Sequence, residues 1–83
     1  MYIEFQLPRR TGHAHYIGRA SLKRELDEWA FKHGIDTHAV RSEFLASDNL
    51  QRVRLPSDRA IELFCLSWNP KQQYFRNYRL RRD

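Results

Sequence analysis

Eighty-three residues of 10.1 kDa carry fifteen Lys+Arg against ten Asp+Glu, a formal net charge of +5 and a sequence pI near 9.9. A chain this short buries roughly 60–65% of its unfolded surface, which allows one compact domain over 1–83 and excludes a cofactor-binding domain beside a substrate domain. With 41% hydrophobic and 30% charged residues it is composed like a folded chain, not a disordered one.

The first segment, Tyr2 to Leu7, alternates, with Ile3, Phe5 and Leu7 on one face and Tyr2, Glu4 and Gln6 on the other, which predicts a half-buried strand. Pro8 ends it. From Pro8 to Ala20 turn formers and basic residues precede His13-Ala14-His15-Tyr16-Ile17-Gly18, and this stretch reads as a functional loop or a short second strand of a hairpin. Ser21 is placed to cap a helix whose apolar stripe is Leu22, Leu26, Trp29, Ala30 and His33, and Gly34 stands at its C-terminal cap. Phe31 falls off that stripe and is expected at the surface, a site for protein contact. His33 reads as a dipole and capping residue.

Strand texture returns over His38 to Ala46, with Val40 and Phe44 on one side and Arg41, Glu43 and Leu45 on the other. Ser47-Asp48-Asn49 turns the chain into a partner strand, Leu50 to Leu55, in which Val53 and Leu55 oppose Arg52 and Arg54. Ser57 caps a second helix with Asp58 in its first turn, and Asn69-Pro70 stops it. Its apolar positions, from Ala60 to Trp68, cover more than half the circumference, so it is the most buried element or it keeps one face for a partner, a homodimer included. Gln72 to Arg82 reads as a final strand.

The order strand, helix, strand, strand, helix, strand predicts an α+β fold of the ferredoxin-like βαββαβ type, a four-stranded antiparallel sheet with two helices on one face. The first and third strands are then central, and Tyr2, Glu4, Gln6, Arg52 and Arg54 lie on the open face.

Twelve of the fifteen basic residues are arginine, whose planar fork suits phosphate or carboxylate, so the bias points to a contact surface. The residues expected to meet a partner are Arg52 and Arg54, the C-terminal run Tyr74, Arg76, Tyr78, Arg79, Arg81 and Arg82, and Arg9 and Arg10 in the long loop. Arginine interleaved with tyrosine also suits nucleic acid, guanidinium to phosphate and ring to base. The RNA-recognition module shares the topology, but its Lys/Arg-Gly-Phe/Tyr run is absent from the third strand, which reads Leu50-Gln51-Arg52-Val53-Arg54-Leu55.

His13 and His15, two apart, would share a face if that stretch were a strand, with Asp36 and His38 as further metal ligands; a small metal-dependent nuclease is the third reading. Cys65 is alone, so the monomer forms no disulfide and is expected in the cytoplasm, its thiol buried on the second helix. No apolar run approaches the ~20 residues of a membrane span, no signal peptide is visible, and no glycine loop cradles a phosphate. No cofactor and no catalytic activity are expected.

One small domain, no catalytic signature, intracellular composition and a biased surface together resemble, at the level of class and without a shared motif, the small anti-defence proteins of phages and mobile elements, the anti-CRISPR proteins among them. That resemblance implies a non-enzymatic inhibitor docking on a host protein or nucleoprotein machine through its Arg/Tyr surface; direct binding to the phosphates of DNA or RNA is the alternative. A chain at +5 does not mimic DNA, which takes an acidic face.

Overall fold

The period-two pattern at the start of the chain folds as expected into a strand with one dry face. The computed structural model describes residues 1–7 and 13–83, the side chains of 13–17 excepted. Its elements are β1 (Tyr2–Gln6), α1 (His13–Lys32), β2 (Arg41–Leu45), β3 (Leu50–Arg54), α2 (Asp58–Ser67) and β4 (Tyr78–Arg81), with 3-10 turns at Thr37–Ala39 and Gln73–Phe75. The strands form one antiparallel sheet in the order β2-β3-β1-β4. This is the α+β, ferredoxin-like arrangement the element order predicts, with β1 and β3 central.

Register fixes which side chains face the helices. Ile3 opposes Val53 on one side and Leu80 on the other, and Phe5 opposes Gln51 and Tyr78. Ile3, Phe5, Leu7 and Val53 share one buried cluster with Leu22, Leu26, Trp29 and Ala30 of α1, with Ile61 and Phe64 of α2, and with Phe75. Both helices therefore cover the same sheet face. Phe5 is the hub, its ring meeting Phe64, Trp68, Phe75 and Tyr78 at centroid distances of 6.0 to 6.3 Å. Trp29 Nε1 donates to Ser67 Oγ at 2.8 Å and ties α1 to α2, while Trp68 Nε1 donates to the Phe75 carbonyl at 2.9 Å and ties α2 to the turn before β4. The indole donors are thus satisfied inside the packing.

Local signals explain the element ends. Gly34 has φ +71°, donates to the Phe31 carbonyl at 3.2 Å and is followed by an Ile35 N–H donating to the Ala30 carbonyl at 2.8 Å, a Schellman closure that needs the left-handed conformation. Ser57 Oγ accepts from the Ala60 N–H at 3.2 Å. Asn49, at φ +55°, closes the β2–β3 turn, and its side-chain amide donates to the Leu7 carbonyl at 2.8 Å, which pins the end of β1 to that turn.

Four sequence expectations are corrected. Residues 13–20 are helical, neither loop nor second strand, so Ser21 lies inside α1 and does not cap it. The buried positions 18, 22, 26, 29 and 30 run along one side, and the part of the expected loop or strand over 8–12 lies outside the described residues. The segment His38 to Ala46 begins in a 3-10 turn and becomes a strand only at Arg41, and the last segment is likewise a 3-10 turn before a strand that starts at Tyr78. Cys65 is exposed: one turn on from Ile61, it lies at the margin of the buried stripe of α2 and lines a surface groove with Leu66 and Leu80.

Tyr78 carries a pH signature. Burial against the core pushes its hydroxyl above the ordinary value of 10.0, and a hydrogen bond with the Cys65 thiol pushes it further. A tyrosine that resists ionising when folded adds stability that is complete below its ordinary range and is lost as pH rises through the raised value. Tyr78→Phe is therefore expected to flatten the alkaline fall in stability, read from urea midpoints between about pH 9 and 11; identical slopes for the two proteins would contradict this.

Candidate functional site

On the face away from the helices, directly opposed residues point the same way about 5 Å apart, so the strands' side chains fall into rows. The middle row runs Glu43, Arg52, Glu4, Arg79 from β2 to β4. Its signs alternate, and it neutralises itself. The neighbouring row, two residues along each strand, runs Arg41, Arg54, Tyr2, Arg81, with Arg41 opposite Arg54 and Tyr2 opposite Arg81. It contains no carboxylate. The row on the other side is Leu45, Leu50 and Gln6, without charge. The positive charge of the sheet is thus gathered at one end.

Contacts hold that end in shape. Arg54 and Arg52 lie over the Tyr2 ring at 5.0 and 5.2 Å from its centroid, so the ring's electrons face cations. Glu4 is only 8% exposed, and its carboxylate lies 3.5 Å from Arg81 Nε across β1 and β4. Asp83 accepts from the Met1 ammonium at 2.8 Å and from Arg54. The ammonium first, and Arg54 second, hold the Asp83 carboxyl below the usual carboxylate range. Exposed pairs of this kind stabilise little, so their effect is to orient Arg54.

Of the residues expected to meet a partner, Arg52, Arg54, Arg79 and Arg81 come together on this face, and Arg82 follows β4 at the surface. Arg76 stands beside them, lining with Arg79, Gln6 and Asn77 a depression of about 320 Å³ over Glu4. Tyr74 is set apart in the 3-10 turn, its ring edge-on to Phe75 at 4.4 Å. Tyr78 is on the helix side, packed on Phe64 at 5.1 Å, away from the arginines. Arg9 and Arg10 lie outside the described residues. Arg41, which the sequence reading left out of the site, belongs to the cationic row; the period-two pattern of β2 carried that signal.

The side chains of His13 and His15 also lie outside the described residues, but their backbone is helical, where positions two apart do not share a face. The shared face that the metal reading needed is absent. Among the described residues no group of three His, Cys, Asp or Glu is gathered to hold a metal ion, and no helix is long and apolar enough to cross a membrane.

A second surface feature lies behind β4. Leu80, 43% exposed, and Leu66 of α2, 87% exposed, wall a groove of about 580 Å³ with Met1, Ile61 and Cys65, and Asp58 and Glu62 rim it. The wide apolar girth of α2 thus divides into a core face and an uncovered one. Phe31 is exposed as expected, at 84%.

Compared with known proteins, the chain matches no family model, no curated protein and no solved structure.

Proposed function

We propose that this is a non-enzymatic docking protein that sets the cationic end of its sheet against an acidic surface of a host protein or nucleoprotein complex, in the manner of a small inhibitor of the anti-CRISPR type. The row Arg41, Arg54, Tyr2, Arg81 carries the reading: three forked cations in line with no carboxylate in the row itself, Arg54 set over the Tyr2 ring and bonded to Asp83 beyond the row, and Arg81 beside Glu4 of the next row. Two features favour a protein over naked nucleic acid. Glu43, exposed in the next row, faces any phosphate track that crosses the sheet. Tyr2, the aromatic residue of the cationic row, has its ring beneath guanidiniums and is not offered to a base. The exposed leucines behind β4 add the apolar contact on which protein interfaces depend.

Titration against a labelled duplex and a labelled single strand, paired with affinity capture from host extract with and without nuclease, tests the reading. Weak binding to either nucleic acid and nuclease-resistant capture are expected. Direct phosphate binding through the three row arginines would instead lose about 40-fold in affinity between 50 and 200 mM salt. Tight, salt-steep binding to naked nucleic acid with nuclease-sensitive capture would overturn the docking reading in favour of that alternative.

A further inference from the structure

β4 closes one edge of the sheet, with β1 as its neighbour and no strand beyond it among the described residues. Its outward peptide groups are therefore free to pair, and its side chains alternate, Arg79 and Arg81 to the open face, Tyr78 and Leu80 to the helix side. The helix side is where the groove walled by Leu80 and Leu66 runs. An edge strand flanked by arginines above and an apolar groove below has the chemistry of a strand-capture site.

Building on the docking reading, we propose that the free edge of β4 takes up an extended segment of the partner protein as a fifth strand, one in which carboxylates alternate with aliphatic side chains. β1 shows what β4 accepts on its occupied edge. There Ile3 opposes Leu80, Glu4 opposes Arg79, and the Glu4 carboxylate reaches Arg81 at 3.5 Å. A strand of the same pattern on the free edge directs its carboxylates to Arg79 and Arg81 and its aliphatic groups into the groove.

A second copy of this chain fits that edge badly. The twofold antiparallel pairings of β4 with itself that keep the faces matched and use the strand most fully are centred on Leu80, which sets Arg79 against Arg81 of the other copy, or on Arg79, which sets two Arg79 side chains together. Like charges directly opposed destabilise the pair. The opposite edge, β2, mixes Arg41 with Glu43 and offers no comparable basic stripe.

The probe is a blocked eight-residue peptide alternating valine and glutamate, compared with one of the same composition in block order and with an alternating valine–lysine peptide. The alternating acidic peptide is expected to bind at least ten-fold tighter than either control and to slow amide exchange within β4. N-methylation of alternate residues is expected to abolish binding in one phase and spare it in the other, as a ladder with one hydrogen-bonding edge requires. Leu66→Lys and Leu80→Lys, both at exposed positions, are expected to weaken binding at least ten-fold with the fold intact by circular dichroism. Equal binding of the block-ordered peptide, or indifference to N-methylation, would overturn the edge proposal. Partner capture that survives Leu66→Lys and Leu80→Lys but is lost on charge reversal of Arg41 and Arg54 would also overturn it while leaving the sheet-face reading intact, and capture indifferent to both sets would overturn the two together.

Discussion

Phe64→Ala is expected to remove a large share of the domain's stability at 25 °C. Phe64 is fully buried, stacked on Trp68 at 4.7 Å and edge-on to Trp29, Tyr78 and Phe5 at 5.2, 5.1 and 6.3 Å. Its ring joins α1, α2, β1 and β4, so no single element can move in to close the cavity left behind. Removing a buried phenylalanine costs about 3–5 kcal/mol, against a total stability of about 4–12 kcal/mol for a domain of this size. Phe64→Leu refills most of that volume and is expected to remain folded with a loss of about 1–2 kcal/mol. Urea denaturation followed by circular dichroism checks both. A loss below about 1 kcal/mol for the alanine variant would show that the aromatic cluster is not the centre of the core.

The largest effect on function is expected from reversing two charges of the cationic row. Arg41→Glu combined with Arg54→Glu turns adjacent positions from cation to anion on two neighbouring strands while leaving the buried face untouched. If each arginine meets a carboxylate of the partner, losing the two contacts at about 1.5 kcal/mol each weakens binding by about 100-fold. Part of the change appears in the association rate, and it shrinks as salt rises. Glu43→Lys is expected to act in the opposite sense, hastening association with the same partner, because it removes the exposed one of the two carboxylates opposite Arg52 in the middle row. Surface plasmon resonance on the captured partner at two salt concentrations measures this. Unchanged affinity in the doubly reversed protein, with its fold intact, would remove the row from the interface.

How far the sequence discloses this surface depends on which side of the chain's local signals one stands. Ile3, Phe5 and Leu7 against Tyr2, Glu4 and Gln6 is a full period-two pattern, and with the element order it suffices to set β1 at the centre and Arg52 and Arg54 on the open face. Ser57 and Gly34 mark their helix ends because each makes its bond locally. The start of α1 is hidden because the turn formers after Pro8 suit a loop and Ser21 looks like a cap, whereas positions 18 and 22 are buried along one side of a single helix. The last segment is misread for a related reason. Its aromatic and basic residues suit a strand from Gln72 onward, but Phe75 is drawn into the core by a 3-10 turn, and the strand proper starts at Tyr78. A strand's start and register decide which residues face water, and here they decide that Tyr78 faces the helices and Arg79 does not. The separation of a self-neutral row from a cationic one is legible only once strands are paired, since Glu4 is 48 and 75 residues from Arg52 and Arg79, the arginines that it opposes.

The central position of β1 also shapes how the sheet is assembled. The partners of Ile3 lie about 50 residues away in β3 and about 77 residues away in β4, whereas β2 and β3 are joined by a short turn. The hairpin of β2 and β3 is the pairing with the least loop to close, so by loop length β1 is expected to join it next across a long excursion, and β4, which pairs with β1, to arrive last. Between those two events β1 is itself an unprotected border, and the charge of Glu4, later enclosed by arginines, is what then stands guard against pairing with a stranger.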